Sequence, residues 1–258
     1  MKDIQNLRDD RRINIRKVGV KTISYPITVL DREKKLQQTV ATVNMYVNLP
    51  HRFKGTHMSR FVEILDRFHG EFNLQKFHLI LEEMKQRLNA EAAHLEIGFP
   101  YFMEHAPATG SIGMERYECR MHGRLQDDND LVMEVDVPIT LPGLDCSGDG
   151  LPRSMGRWGY VRVAVRFNEF IWIEDLISLV QQGIVGESSR SDSVESLCRQ
   201  VGKALADTRA IGWFRVVVEN IADGYSTFAS VESPLRTTNY VNNNSSGSPT
   251  GVYKPENR

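Results

Sequence analysis

The pattern of apolar residues runs through one order of elements twice, and that recurrence limits the folds open to this chain. Ile13 to Val29 alternates, with breaks at Gly19 and Pro26, and Thr39 to Val47 places Ala41, Val43, Met45 and Val47 on one side. Two helical stripes follow. Phe61, Leu65 and Phe68 mark a helix over 55–68, and Leu74, Phe77, Leu81, Met84 and Leu88 mark one between Asn73 and Asn89. Strands return at His94 to Phe102 and at about Gly113 to Leu125. The second half opens with a strand from Leu131 to Leu141 and another from Tyr160 to Phe167, where Val161, Val163 and Val165 alternate with Arg162, Ala164 and Arg166. Helices from Trp172 to about Gln182 and from Ser193 to Ala206 come next, then strands at Phe214 to Glu219 and Thr227 to Val231. Strands with one apolar side bury that side and leave the other polar. The pattern therefore predicts an α+β protein of two ββααββ modules, with antiparallel sheets and helices on one face. The expected boundaries are 1–126 and 127–236. The remaining stretch, 237–258, carries Asn242 to Ser246 followed by Gly247, Ser248 and Pro249, cannot build a core, and is expected to be a disordered tail.

Composition removes several function classes. Thirty-two basic and 33 acidic residues leave a formal charge of -1, which offers nothing to a nucleic acid as bulk polyanion. No apolar run reaches membrane length and no apolar leader follows Met1, so a soluble cytoplasmic protein is expected. Cys119, Cys146 and Cys198 are too few and too widely spaced for a disulfide framework or a Cys-x-x-Cys metal knuckle.

One short string has the composition of a ligand site. Lys54-Gly55-Thr56-His57-Met58-Ser59-Arg60-Phe61 gathers two cations, an imidazole and two hydroxyls where a helix opens. Thr56 or Ser59 is expected to cap that helix, and its first amides suit an anion, with His57 and Arg60 beside them. The same string, with Asp3-Ile4-Gln5-Asn6, Val18-Gly19-Val20, Tyr25-Pro26-Ile27, Asn48-Leu49-Pro50 and Phe99-Pro100-Tyr101-Phe102, closely resembles the GTP cyclohydrolase type IB family. The resemblance is dense to about residue 110 and thinner to about 232. It implies paired tunnelling-fold modules whose sheets close into barrels between subunits, a homo-oligomer, most simply a tetramer, and a metal-dependent opening of the guanine ring of GTP.

The residues that would carry that chemistry are kept unevenly. The family's Cys-Pro-Cys-Ser segment falls on Leu144-Asp145-Cys146-Ser147, so one cysteine, Cys146, is retained. A histidine ligand is expected about a dozen residues later, where Met155-Gly156-Arg157-Trp158 stands; all seven histidines lie at or before residue 122. The family's Lys-Arg-Pro-Asp-Glu connection is shortened to a stretch holding Glu187 and Asp192. Its Glu-Ser-Ile-His-Asn-His segment falls on Ala222-Asp223-Gly224-Tyr225-Ser226-Thr227. Glu195 takes the place of the glutamate that anchors the guanine edge, although a carboxylate in a first helical turn has a sufficient structural reason in the helix dipole.

A hydrolytic metal needs about three protein ligands and an open position, and one family ligand is recognisable. The expectation is a diverged member without metal or other cofactor. It would bind a planar or heterocyclic small molecule through Glu195, His57 and Arg60 and act on it through Cys146. Two alternatives stand beside it: a GTP cyclohydrolase serving pterin synthesis, its metal held by other groups, and a catalytically silent binding or scaffold subunit.

Overall fold

Alternation along the strands is realised in a single sheet. The computed structural model describes residues 17–32, 36–50, 57–68, 71–72, 74–104, 114–140, 157–185, 193–222 and 224–233. The elements in chain order are β1 (Val18–Leu30), β2 (Leu36–Asn48), α1 (Ser59–Asp66), β3 (Glu71–Phe72), α2 (Leu74–Arg87), β4 (Ala92–Glu104), β5 (Met114–Leu125), β6 (Asn129–Thr140), β7 (Arg157–Phe167), α3 (Ile173–Val185), α4 (Val194–Ala206), β8 (Ile211–Ala222) and β9 (Tyr225–Glu232). They form one nine-stranded sheet of order β3-β1-β2-β4-β5-β6-β7-β8-β9. Every pairing is antiparallel except the two-residue β1–β3 contact. The α+β class and the order of elements are as expected, and β3 is an addition too short for any periodicity to reveal. The two halves are continuous rather than separate sheets, because β5 and β6 pair from Leu125↔Asn129 to Glu118↔Asp136. The expected boundary at 126/127 lies in that hairpin. The tail at 237–258 lies outside the described residues.

All four helices lie against one face. Ala41, Val43, Met45, Val47, Leu95, Ile97, Phe99, Cys119, Val135, Val137, Val161 and Val163 are buried there with Phe61, Leu81, Met84, Leu176, Val180, Val201 and Leu205 from the helices. The stripe expected on α2 is realised by Phe77, Leu81, Met84 and Leu88, with Ile80 added. α1 is shorter than expected, ending at Asp66, and Ser59 does not cap it. Its N-cap is Met58, without a side-chain cap bond; Ser59 is the first helical residue and Thr56 is outside the described residues. α4, in contrast, has Ser193 as N-cap, its side chain accepting from the Ser196 amide.

Close approach rather than turn geometry dictates glycine at several positions, Gly123 and Gly183 among them. A Cβ on Gly123 of β5 would lie 2.1 Å from the Phe77 ring, so α2 can sit on the sheet only if that position stays bare. A Cβ on Gly183 would lie 3.0 Å from Val201 Cα, which lets α3 and α4 cross closely.

One helix also fastens the two halves together. Tyr101 and Tyr117 are register partners on β4 and β5, both buried. The Tyr101 hydroxyl donates to Glu174 Oε1 at 2.5 Å, and the Tyr117 hydroxyl accepts from Gln181 Nε2 at 2.8 Å. Glu174 and Gln181 stand about two turns apart on α3. Arg32, just after β1, adds its amide to Glu174 at 2.8 Å and its guanidinium to Asp175 at 2.6 Å. A cavity of about 420 Å³ opens beside this clasp, between the ends of β1, β2 and β4.

Gly123→Ala should lower stability by about 1–3 kcal/mol in urea denaturation, the cost of overpacking against Phe77. Gly98→Ala, whose nearest neighbour would be 3.8 Å away, should be neutral or stabilising by up to about 1 kcal/mol. Equal losses at the two positions would contradict the packing argument.

Candidate functional site

Strand register gathers the second-half segments at one end of the sheet. Thr140 of β6 pairs with Arg157 of β7, Gly159 pairs with Asn220 of β8, and Asn220 pairs with Thr227 of β9. The connection that carries Cys146 therefore leaves and re-enters the sheet here, beside the β8–β9 turn. Cys146 itself, with Glu187 and Asp192, lies outside the described residues. α4 runs back antiparallel to β8, so Glu195 in its first turn comes to the same end from the helix face. Glu195 is exposed, and a hydrogen bond from Ser193 and its own backbone amide hold its carboxylate below the usual range. His57 and Arg60 are not brought to this place within one chain. They sit at the start of α1, which the chain reaches from the Asn48 end of β2, at the opposite end of the strands. Among the described cysteines, Cys119 and Cys198 are free and buried. Burial pushes both thiols above their ordinary value, which suits packing rather than nucleophilic work.

The sheet face without helices carries most of the polar chemistry. Asp136 is gripped by Arg162 at 2.7 and 3.0 Å and by Arg120 at 3.0 Å, while Arg120 also reaches Glu134 at 2.6 Å. Burial alone raises the Asp136 pKa, but the hydrogen bonds from Arg162 and Arg120 outweigh it and hold the carboxyl below its ordinary value. Arg166 clasps Asp130 at 2.7 and 3.2 Å and stacks over Trp213 at 4.3 Å, and the Trp213 indole N–H donates to Glu232 at 3.1 Å.

Two carboxylates on this face are held by tyrosines instead. Glu96 accepts from Tyr46 at 2.6 Å and from Asn44 at 2.9 Å. The Tyr46 ring is itself stacked on His94, with centroids 4.7 Å apart, and lies under the Lys17 ammonium at 4.4 Å. In the second half, Glu219 accepts from Tyr160, its register partner, and Arg162 lies over the Tyr160 ring at 5.1 Å. Hydrogen bonds from Tyr160 and Ser226 hold the Glu219 carboxyl low against burial, and the same bond to Glu219 pushes Tyr160 up. Neither pair was anticipated from the sequence. Alternation puts Tyr160 and Glu219 on polar positions, but only the register shows that they meet.

The family resemblance implies a divalent metal. Among the described residues, no three His, Cys, Asp or Glu side chains are grouped to hold one, and the open-face carboxylates are committed to arginine, tyrosine and asparagine partners. These residues do not fit such an ion.

Solved structures place the architecture in a known class. The fold is shared with uricase from Arthrobacter globiformis (TM-score 0.54, 8% identity, covering 84% of this chain and 92% of that one) and with a uricase from Bacillus fastidious (TM-score 0.56, 6% identity, 84% and 93%). It is the α+β tunnelling fold. The sequence gives the narrower assignment, for residues 1–191 match the family model described as type I GTP cyclohydrolase folE2. The chain is 43% identical over 255 residues to GTP cyclohydrolase FolE2 of Syntrophobacter fumaroxidans, covering 90% of this chain and 99% of the relative. It is 44% identical over 257 residues to the Pelobacter propionicus protein of the same name, covering 92% and 100%. The chain belongs to the type I GTP cyclohydrolase folE2 family.

The Asp136 grip makes a pH-dependent prediction. A depressed carboxyl pKa stabilises the fold fully above the unfolded value of about 4, and that contribution is lost as pH falls through the folded value. Asp136→Asn should therefore unfold at lower urea than wild type at pH 7, and the gap should narrow below about pH 4. A gap that widens on acidification would contradict this assignment.

Proposed function

We propose that this protein is a GTP cyclohydrolase, opening the guanine ring of GTP by hydrolysis to feed pterin synthesis. One observation carries the reading: identity of 43–44% sustained over 99–100% of relatives that bear that name. It is the reading that stood as an alternative from sequence motifs alone, and the comparisons support it above the metal-free one. In this proposal the protein is a cytoplasmic homo-oligomer, most simply a tetramer of paired modules divided near 126/127. His57 and Arg60 of one copy meet the Cys146 and Glu195 end of another, because one chain holds them at opposite ends of its strands. Glu195, already ionised and free of any packing duty, accepts from the ring N–H groups, and the cations take the phosphates. No step is assigned to a metal, since the described residues do not supply its site.

A second reading is favoured by one fact. Every histidine lies at or before residue 122, so the half that holds Cys146 has no imidazole of its own. In that reading the protein is a diverged member that works on a related planar ring through the Cys146 thiol, without a metal.

The test is turnover of GTP by the purified protein, with and without added zinc or manganese, followed as pterin formation. Pterin formation in at least one of these conditions is the expected result. Cys146→Ser should cut it by about 100-fold or more, because a hydroxyl is a poor replacement for a thiolate as either ligand or nucleophile. Absence of pterin under every metal condition would overturn the first reading and leave the second.

A further inference from the structure

We propose that Asn220 is a specificity-determining residue of the ring site anchored by Glu195, its side-chain oxygen accepting from the exocyclic amino group of guanine. This rests on the GTP reading for the ring and on Glu195 as the anchor of its edge. The Asn220 side-chain oxygen is shut off from solvent and has no hydrogen-bond partner. A buried acceptor left in that state costs about 1–3 kcal/mol. A donor that arrives with a ligand recovers the cost, and a ligand without that donor does not.

Strand and helix spacing bring Asn220 to Glu195 on the same side of the sheet. Asn220 follows the buried Val216 and Val218 at alternate positions of β8, so it faces the helices. Its register partners are Gly159 on β7 and Thr227 on β9. Gly159 bears no side chain, and a Cβ there would lie 2.0 Å from the Glu219 carbonyl oxygen, so that flank of Asn220 stays open. α4 passes over the neighbouring rows. The Cys198 thiol donates to the Val216 carbonyl at 3.9 Å, and a Cβ on Gly202 would lie 2.9 Å from Val231 Cγ1. Glu195, Arg199 and Gly202 share one stripe of α4, and Arg199 and Gly202 line a groove with Val231 of β9. Glu195 precedes Cys198 by three residues, about 4.5 Å of rise, and so overhangs β9 near Ala229 and Thr227. Asn220 is one strand away, about 4.8 Å. A flat ring over Thr227 gives Glu195 its ring N–H and one amino hydrogen. The second amino hydrogen points to Asn220, whose amide turns about a soft terminal torsion to accept it.

The experiment titrates the full-length protein with GTP and with inosine triphosphate, which lacks the amino group, for wild type, Asn220→Ala and the nearly isosteric Asn220→Leu. Melting temperature is recorded for each. Wild type should prefer GTP by roughly tenfold or more, and both variants should lose roughly threefold to tenfold of that preference through weaker GTP binding. Their affinity for inosine triphosphate should stay within about twofold of wild type, and their melting temperatures should be equal or higher, because an unpartnered buried acceptor has been removed. An unchanged preference in both variants would overturn the inference, as would a wild type that binds the two nucleotides alike. Loss of folding in both variants would also overturn it, by giving the amide to the fold. Pterin formation with an unchanged preference would remove Asn220 and keep the cyclohydrolase reading. A preference lost in both variants of a protein that makes no pterin would keep Asn220 and remove that reading.

Discussion

Among the described residues, four helices cover one face of the sheet and none covers the other, and most of the structure answers to that asymmetry. Each strand has to be apolar at every second position to hold the helices. The positions between must tolerate water while still occupying a twisted surface crowded by neighbours. Arginine–carboxylate forks suit this role, since they span adjacent strands: Arg162 and Arg166 each grip one carboxylate with two nitrogens, and Arg120 divides its two between Glu134 and Asp136. The ladder of Arg120, Glu134, Asp136 and Arg162 crosses β5, β6 and β7, where the two halves join. Charged forks at the seam align the halves in register without making the face adhesive.

The same asymmetry explains which parts could be read from sequence. Alternation in Thr39–Val47 and Tyr160–Phe167, and the stripe from Phe77 to Leu88, carried the strands, the second helix and the α+β class, because burial on one side imposes a period. Continuity of the sheet was less legible: hairpin pairing across 126/127 depends on partners distant in space, and each half taken alone satisfies the same pattern. The start of α1 was misjudged for a local reason, since Ser59 lies one position inside the helix and cannot serve as its cap. Among the candidate site residues, Glu195 falls in a first helical turn at the expected place, while Cys146 lies outside the described residues. Tyr160 and Glu219 are 59 residues apart, and no spacing rule connects them.

Fold outlasts sequence identity here. Uricases share the architecture at 6–8% identity, so the pattern of strands and helices survives almost complete replacement of side chains. Relatives at 43–44% share far more than pattern, yet the second half of this chain has no histidine to set beside its cysteine. Physical chemistry ranks these constraints differently. A buried valine can become isoleucine with modest loss, whereas a proton carrier or metal ligand has few substitutes.

The tyrosine clasp on α3 has a mechanical meaning. A helix held at one point can rotate about that point; a helix held at two points two turns apart can neither slide nor roll. Tyr101 and Tyr117 thus make the first-half strands a ruler against which α3 is measured. The helix continues only four residues past Gln181, about 6 Å of rise, before its last residue, Val185. The take-off point of the chain toward Glu195 is therefore set by side chains rooted in the other half, and a disturbance in β4 or β5 would arrive there as displacement rather than as loosened packing.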